Sequence, residues 1–263
     1  MNIGFIGTGK MATAIARGLI RQQAWPGTAL FGVDVSAQAR AEFTASTSAP
    51  CLPDLAALAA KADILILAVK PQDAAAAAEQ VAPHSRDKLI ISIAAGLTLE
   101  KLCAWLGHRR IVRVMPNTPA TVGQGVTVYA CAPAVTETDK QLTERIFGAV
   151  GMVRPLPEEL LNAATALSGS GPAYVFEVMQ ALIKAGTEVG LEPGLARELT
   201  AQTMLGSAAM VLQNVGSPEQ LRDAVTSPGG TTEAGLRILR KGKLEELLSN
   251  TVRAARDRAR ELA

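Results

Sequence analysis

Aromatic side chains are scarce in this chain of 263 residues, where Phe, Tyr and Trp together make up 3%. Hydrophobic residues still reach 48%, so alanine and the aliphatics must do the packing. Histidine occurs only as His84 and His108, and neither has acidic or cysteine partners at ligand spacing, so both read as surface residues and no metal site is expected. Cys51, Cys103 and Cys131 are odd in number and lack paired spacing. That excludes a disulfide framework and reads as reduced, mostly buried thiols of a cytoplasmic protein. A net charge of +2 makes no case for nucleic acid or an anionic membrane surface. The N-terminus has no basic stretch leading into a cleavable apolar run. No serine stands in a nucleophile elbow, because Gly169-Ser170-Gly171 is preceded by Ser168 where a glycine is required. Metal and covalent chemistry thus find no motif, which leaves a reaction whose chemistry a cofactor carries while the protein orients.

The front of the chain supplies that cofactor's signature. Residues 2–6 read as a short buried strand, Gly7-Thr8-Gly9-Lys10-Met11-Ala12 follows at once, and apolar residues then recur at helical spacing through Ile20. Strand, G-x-G-x-x-A, helix is the dinucleotide fingerprint in its required setting. A second strand at 29–33 ends in Asp34-Val35-Ser36. An acid there holds the adenosine ribose and favours NAD, whereas Ser36 and Arg40 suit the 2′-phosphate of NADP, so the choice stays open. Continuous apolar runs at 63–69, 89–93 and 110–115 read as parallel strands covered on both faces. They end in Lys70-Pro71-Gln72, Ala94-Ala95-Gly96 and Pro116-Asn117-Thr118-Pro119, at the strand ends where open α/β sheets bind ligands. Further strands at 125–131 and 151–155 flank a helix at 137–147.

Beyond Pro157 the pattern is helical throughout, over 158–167, 172–189, 193–215, 218–225, 231–240 and 243–263. The expected architecture is an α/β Rossmann-type doubly wound sheet, residues 1–156, followed by an all-α domain, residues 157–263. Residues 160–176 and 199–218 carry no charge yet hold several polar groups, so they fit burial against a second subunit and not a membrane span. Near the end, Ser227-Pro228-Gly229-Gly230-Thr231-Thr232 turns tightly into a helix with Glu233 in its first turn, and free N–H groups converge there on a place for a small carboxylate.

The chain resembles pyrroline-5-carboxylate reductase over essentially its whole length. The motifs are Phe5-Ile6-Gly7-Thr8-Gly9-Lys10-Met11-Ala12, Ala68-Val69-Lys70-Pro71-Gln72, Val114-Met115-Pro116-Asn117-Thr118-Pro119-Ala120, Leu167-Ser168-Gly169-Ser170-Gly171-Pro172-Ala173-Tyr174 and Asp223-Ala224-Val225-Thr226-Ser227-Pro228-Gly229-Gly230-Thr231-Thr232. Each is modest alone, and five in the family's order are specific. The resemblance implies reduction of the imine of 1-pyrroline-5-carboxylate to L-proline, the last step of proline biosynthesis, with NADPH or NADH. It implies dinucleotide contacts from Ile6 to Met11, at Asp34 and Ser36, and from Ala68 to Pro71, with Ala94, Ala95 and Asn117 at the nicotinamide end. Main-chain amides of Gly229, Gly230 and Thr231, in a cradle that includes Ser227 and Pro228, would hold the substrate carboxylate. Thr232 would set its hydroxyl against the ring nitrogen as the catalytic residue. Members of the family are interwoven homodimers, sometimes assembled further. Asp34 departs from the neutral polar residue common in the family, which places a strong NADPH preference in question.

A second enzyme class, the 3-hydroxyacid dehydrogenases, also joins a Rossmann domain to a helical one and needs a base; Lys184 is its candidate here. A dinucleotide-sensing protein without catalysis would have no use for the carboxylate cradle.

Overall fold

The computed structural model describes residues 1–262. In chain order the elements are β1 (Ile3–Ile6), α1 (Lys10–Arg21), β2 (Leu30–Val33), α2 (Ala37–Thr47), α3 (Leu55–Lys61), β3 (Ile64–Leu67), α4 (Ala74–Val81), β4 (Leu89–Ser92), α5 (Leu99–Leu106), β5 (Ile111–Met115), β6 (Gly125–Cys131), α6 (Glu137–Gly148) and β7 (Gly151–Pro155). Then follow α7 (Leu161–Ala164), α8 (Gly171–Glu188), α9 (Pro193–Leu212), α10 (Pro218–Ala224), α11 (Thr231–Lys241) and α12 (Leu244–Glu261).

The strands form one sheet in the order β2-β1-β3-β4-β5-β6-β7. β1 to β5 run parallel, β6 reverses against β5, and β7 runs parallel to β6. The apolar runs are continuous because both faces are covered, yet each strand still alternates. Ile3, Phe5, Ile64, Ile66, Leu89, Ile91, Val112 and Val114 enter one core layer with Ile15 and Leu19 of α1 and Ile146 and Phe147 of α6. Ile6, Leu65, Leu67, Ile90 and Ile111 enter the other with Leu58 of α3, Ala78 of α4 and Leu102 of α5. Alanines 12, 16, 59 and 78 bring helix backbones close to the sheet, which is how so few aromatics fill so large a core.

Packing divides the chain into two compact units, Met1–Ser170 joined by the chain from Ala255 on, and Gly171–Ala254. The change from strands to helices lies near residue 156, but Leu161 and Ala166 are fully buried and Leu161 belongs to the sheet's core. Residues 157–170 therefore pack with the first unit. The helix expected over 158–167 is also broken up. A 3₁₀ turn at Glu158–Leu160 leads into α7, and Thr165–Gly169 is a π-helical turn closed by Ser170 N–H donating to the Thr165 carbonyl at 2.8 Å. Of the helix expected over 243–263, the final residue, Ala263, lies outside the described residues.

The second unit has almost no interior. Among the described residues, α9 buries only Ala196, and α8, α10 and α11 bury none. Phe176, Leu182, Leu199, Leu205 and Leu247 are each half exposed or more. Exposure on this scale belongs to a chain that completes its core on another copy. None of the described helices is long and apolar enough to cross a membrane.

Candidate functional site

The carboxyl ends of β1 to β5 lie along one edge of the first unit, and the glycine turn leaves β1 there. Gly7 has φ +91° and donates its N–H to the Val33 carbonyl at 2.8 Å. A Cβ at Gly7 would stand 2.7 Å from the Ala68 carbonyl oxygen, so this turn is pressed against the chain leaving β3. Gly9 is the opposite case. It is the N-cap of α1 with no side-chain cap, and a Cβ there would meet nothing within 4 Å. The first-turn amides of Lys10, Met11 and Ala12 thus open toward free space at the positive end of a three-turn helix. A pyrophosphate fits this place.

Thr8 and Ile6 are both buried within the turn and the strand that feeds it. Ile6 is buried in the core and its carbonyl accepts the Ala68 N–H at 2.8 Å. Thr8 is 1% exposed, and its N–H donates to Asp34 Oδ2 at 2.7 Å, with its hydroxyl 3.3 Å from the same oxygen. Asp34 Oδ1 accepts the Ser36 N–H at 2.8 Å. The Asp34 carboxylate is therefore a strut inside the glycine turn, with both oxygens already engaged. Ser36 caps α2 by accepting the Ala39 N–H at 3.2 Å, a bond that leaves its hydroxyl proton available. Arg40 Nη1 donates to the Asp34 carbonyl at 2.6 Å, which holds its guanidinium beside the end of β2. The end of β2 thus brings together the Asp34 carboxylate, the Ser36 hydroxyl and the Arg40 guanidinium.

The remaining strand ends line up as the sequence suggested. Ala68 and Val69 are half-buried, Lys70 and Pro71 are exposed at the start of a 3₁₀ turn, Ala94 is buried and Ala95 exposed. Asn117, expected at the nicotinamide end, bonds to protein through its side-chain amide. It is 8% exposed, its Oδ1 accepts the Val126 N–H at 2.8 Å, and its Nδ2 donates to the Ser168 carbonyl at 3.0 Å. Each end of its amide makes one bond to protein.

In the second unit, Ser227-Pro228-Gly229-Gly230 forms a turn with Gly229 at φ +71° and the Gly230 N–H donating to the Ser227 carbonyl at 3.0 Å. Proline at the second position and a positive φ at the third are the marks of a type II turn. The Gly229 N–H donates to Glu233 Oε2 at 2.7 Å. Of the three amides expected to hold a carboxylate, Gly229 and Gly230 are thus occupied within the loop. Gly230 is the N-cap of α11 and brings no side-chain cap, so the open donors are the first-turn amides of Thr231, Thr232 and Glu233. The three open amides thus run from Thr231 to Glu233, where the sequence suggested Gly229 to Thr231. The Pro-Gly pair was the available signal, because a type II turn uses the N–H of its fourth residue.

Other candidates fall away. The Lys184 side chain is 79% exposed, with its ammonium 3.9 Å from Glu188 one helical turn on, the setting of a solvated lysine. His108 is half-buried with Nδ1 accepting the Arg110 N–H at 3.2 Å, and burial together with the Arg110 charge pushes its pKa down, so the ring is neutral. Burial pushes the thiols of Cys51, Cys103 and Cys131 up, leaving them protonated and inert.

Residues 158–262 match the family model described as pyrroline-5-carboxylate reductase dimerisation, and residues 2–96 match the model described as NADP oxidoreductase coenzyme F420-dependent. The chain is 40% identical to pyrroline-5-carboxylate reductase of Pisum sativum over 99% of its own length and 96% of that protein's. It is also similar to the solved pyrroline-5-carboxylate reductase of Coxiella burnetii, with 39% identity, a TM-score of 0.93, and coverage of 100% and 98% of the two chains. The Plasmodium falciparum pyrroline carboxylate reductase, solved with NADP bound, gives 34% identity and a TM-score of 0.91 over 100% and 98% of the two chains.

Proposed function

The chain belongs to the pyrroline-5-carboxylate reductase family, and on that premise we propose how its own residues serve the reaction. The enzyme reduces the imine of 1-pyrroline-5-carboxylate to L-proline, the final step of proline biosynthesis, and NADP(H) is its cofactor. Bound NADPH supplies the hydride. The protein's share is to hold, orient and manage one proton.

The first unit holds the dinucleotide. The uncapped start of α1 takes the pyrophosphate on the amides of Lys10, Met11 and Ala12, and Gly9 leaves room for it. Arg40 and the Ser36 hydroxyl take the 2′-phosphate, and the Ala68–Pro71 stretch borders the path along the strand ends. The nicotinamide end then falls at Ala94, Ala95 and the loop after β5, on the side of the sheet away from β2.

The second unit holds the acid. The substrate carboxylate sits on the amides of Thr231, Thr232 and Glu233 at the positive end of α11. Thr232 is the catalytic residue. Its hydroxyl accepts from the protonated imine nitrogen, and keeps a hydrogen bond to that nitrogen as the positive charge is lost and the amine forms. A protonated imine is the better hydride acceptor, so a group that stabilises that N–H without removing its proton suits the site.

The uncapped first turn of α11 carries this reading, since among its side chains none satisfies the amides that an acid would need. Following NADPH absorbance with and without 1-pyrroline-5-carboxylate tests it, with proline identified as product. Oxidation of NADPH that does not depend on the imine, or no oxidation at all, would overturn the reading. A cytoplasmic location and a homodimer, assembled further in some relatives, complete the proposal; protonated unpaired thiols support the first and the open faces of α8 and α9 the second.

A further inference from the structure

The π-helical turn Thr165–Gly169 stands against the loop that follows β5, and one side chain joins them. Asn117 reaches from that loop in two directions, to the Val126 N–H at the start of β6 and to the Ser168 carbonyl in the π-turn. Its orientation is forced, because a backbone N–H can only donate and a carbonyl only accept. No other residue type makes both bonds from this place. Aspartate would set an oxygen against the Ser168 carbonyl, and glutamine is one methylene too long.

The π-turn is fitted to the same loop by shape. A Cβ on Gly169 would lie 2.9 Å from Met115 Cε and 3.3 Å from Thr165 Cγ2, so the turn touches the side chain of the last residue of β5. The Ser168 carbonyl has no helical donor four residues on, because residue 172 is Pro172 and brings no N–H. Here the Ser168 carbonyl accepts from Asn117.

We propose that Asn117 is a positioning residue, which acts through the π-turn to fix the wall of the nicotinamide end and touches neither dinucleotide nor substrate. The inference rests on the placement of the nicotinamide end beside the loop after β5. Hydride transfer is steeply sensitive to alignment, and a displacement of about 1 Å costs on the order of a hundredfold in rate. Affinity for the dinucleotide is set by the turn after β1, so the two quantities should separate.

The test uses the full-length enzyme and two variants. N117D keeps the acceptor for the Val126 N–H and loses the donor to Ser168. G169V leaves Asn117 untouched and crowds the turn against both Thr165 Cγ2 and Met115, which keeps the question open to test should N117D fail to fold. Both should lower kcat by about tenfold to a hundredfold with NADPH affinity, read by quenching of its fluorescence, within about twofold of wild type. The deuterium isotope effect on kcat from 4-deuterated NADPH should rise as hydride transfer comes to limit turnover. A weaker NADPH affinity with unchanged kcat would mean that Asn117 binds the dinucleotide itself. A lower melting temperature with wild-type kcat and isotope effect would make it a purely structural residue. Either result overturns the inference while leaving the reductase reading intact. A wild-type enzyme inert toward the imine would instead sink that reading.

Discussion

At the scale of single residues, glycines 7 and 9 look alike in the motif but differ in what they face. Gly7 is surrounded by protein at a positive φ, whereas the space at Gly9 is empty. Gly7→Ala should therefore destabilise the fold by about 1–2 kcal/mol or more, measured by urea unfolding. Gly9→Ala should leave the melting temperature unchanged and raise the KM for NADPH at least about tenfold, because its methyl group meets only the ligand. Thr232 allows an equally clean separation. It is not the N-cap of α11 and its hydroxyl caps nothing, so Thr232→Ala should cost little stability while lowering kcat by roughly a hundredfold. Saturating activity near wild type would remove Thr232 from the mechanism. Residue identity was legible in the sequence here, but residue role was less so. Asp34 was plain as an acid at the end of β2, yet nothing in the chain announces that its oxygens turn inward to Thr8 and Ser36.

At the scale of elements, strands were read from apolar runs and matched to within a residue or two. α2 offered little to read, since it buries only Phe43 and Thr47, and a helix so thinly attached shows no stripe. The π-turn was illegible for a different reason. One inserted residue leaves no period, and the partner of its Ser168 carbonyl, Asn117, lies far away in sequence. α6 is joined to the sheet by charge. Asp139 is fully buried, accepts from Arg110 Nη2 at 2.8 Å and Nε at 3.1 Å, and closes a capping box with Thr136. Burial alone would push its carboxyl up, but Arg110 and the Thr136 bonds outweigh it and hold the pKa below the usual range. A carboxylate depressed on folding contributes stability above its unfolded pKa and loses it as pH falls through the folded value. Asp139→Asn should cost about 2–3 kcal/mol at pH 7 and flatten the acid limb of stability against pH. An unchanged acid limb would show that the pair is idle.

At the scale of the whole molecule, the sequence told where apolar surface would be but not where it would go. Residues 199–218 are free of charge, and in α9 Leu199 and Leu205 face outward. A helix apolar on several sides can be a core helix of one chain or of two, and only packing decides between them. Leu205→Glu should yield monomers by light scattering and lose activity while keeping NADPH binding, since the glycine turn lies in the other compact unit. A dimer of normal activity would mean that another face makes the association.

Because α8 to α11 bury almost nothing within their own chain, the final stage of maturation is a bimolecular event. Its half-time should lengthen in direct proportion to dilution, and the unfolding temperature should climb with the quantity of polypeptide in the tube. Abundance then becomes a thermodynamic variable of this reductase, so a scarce chain is also a fragile one.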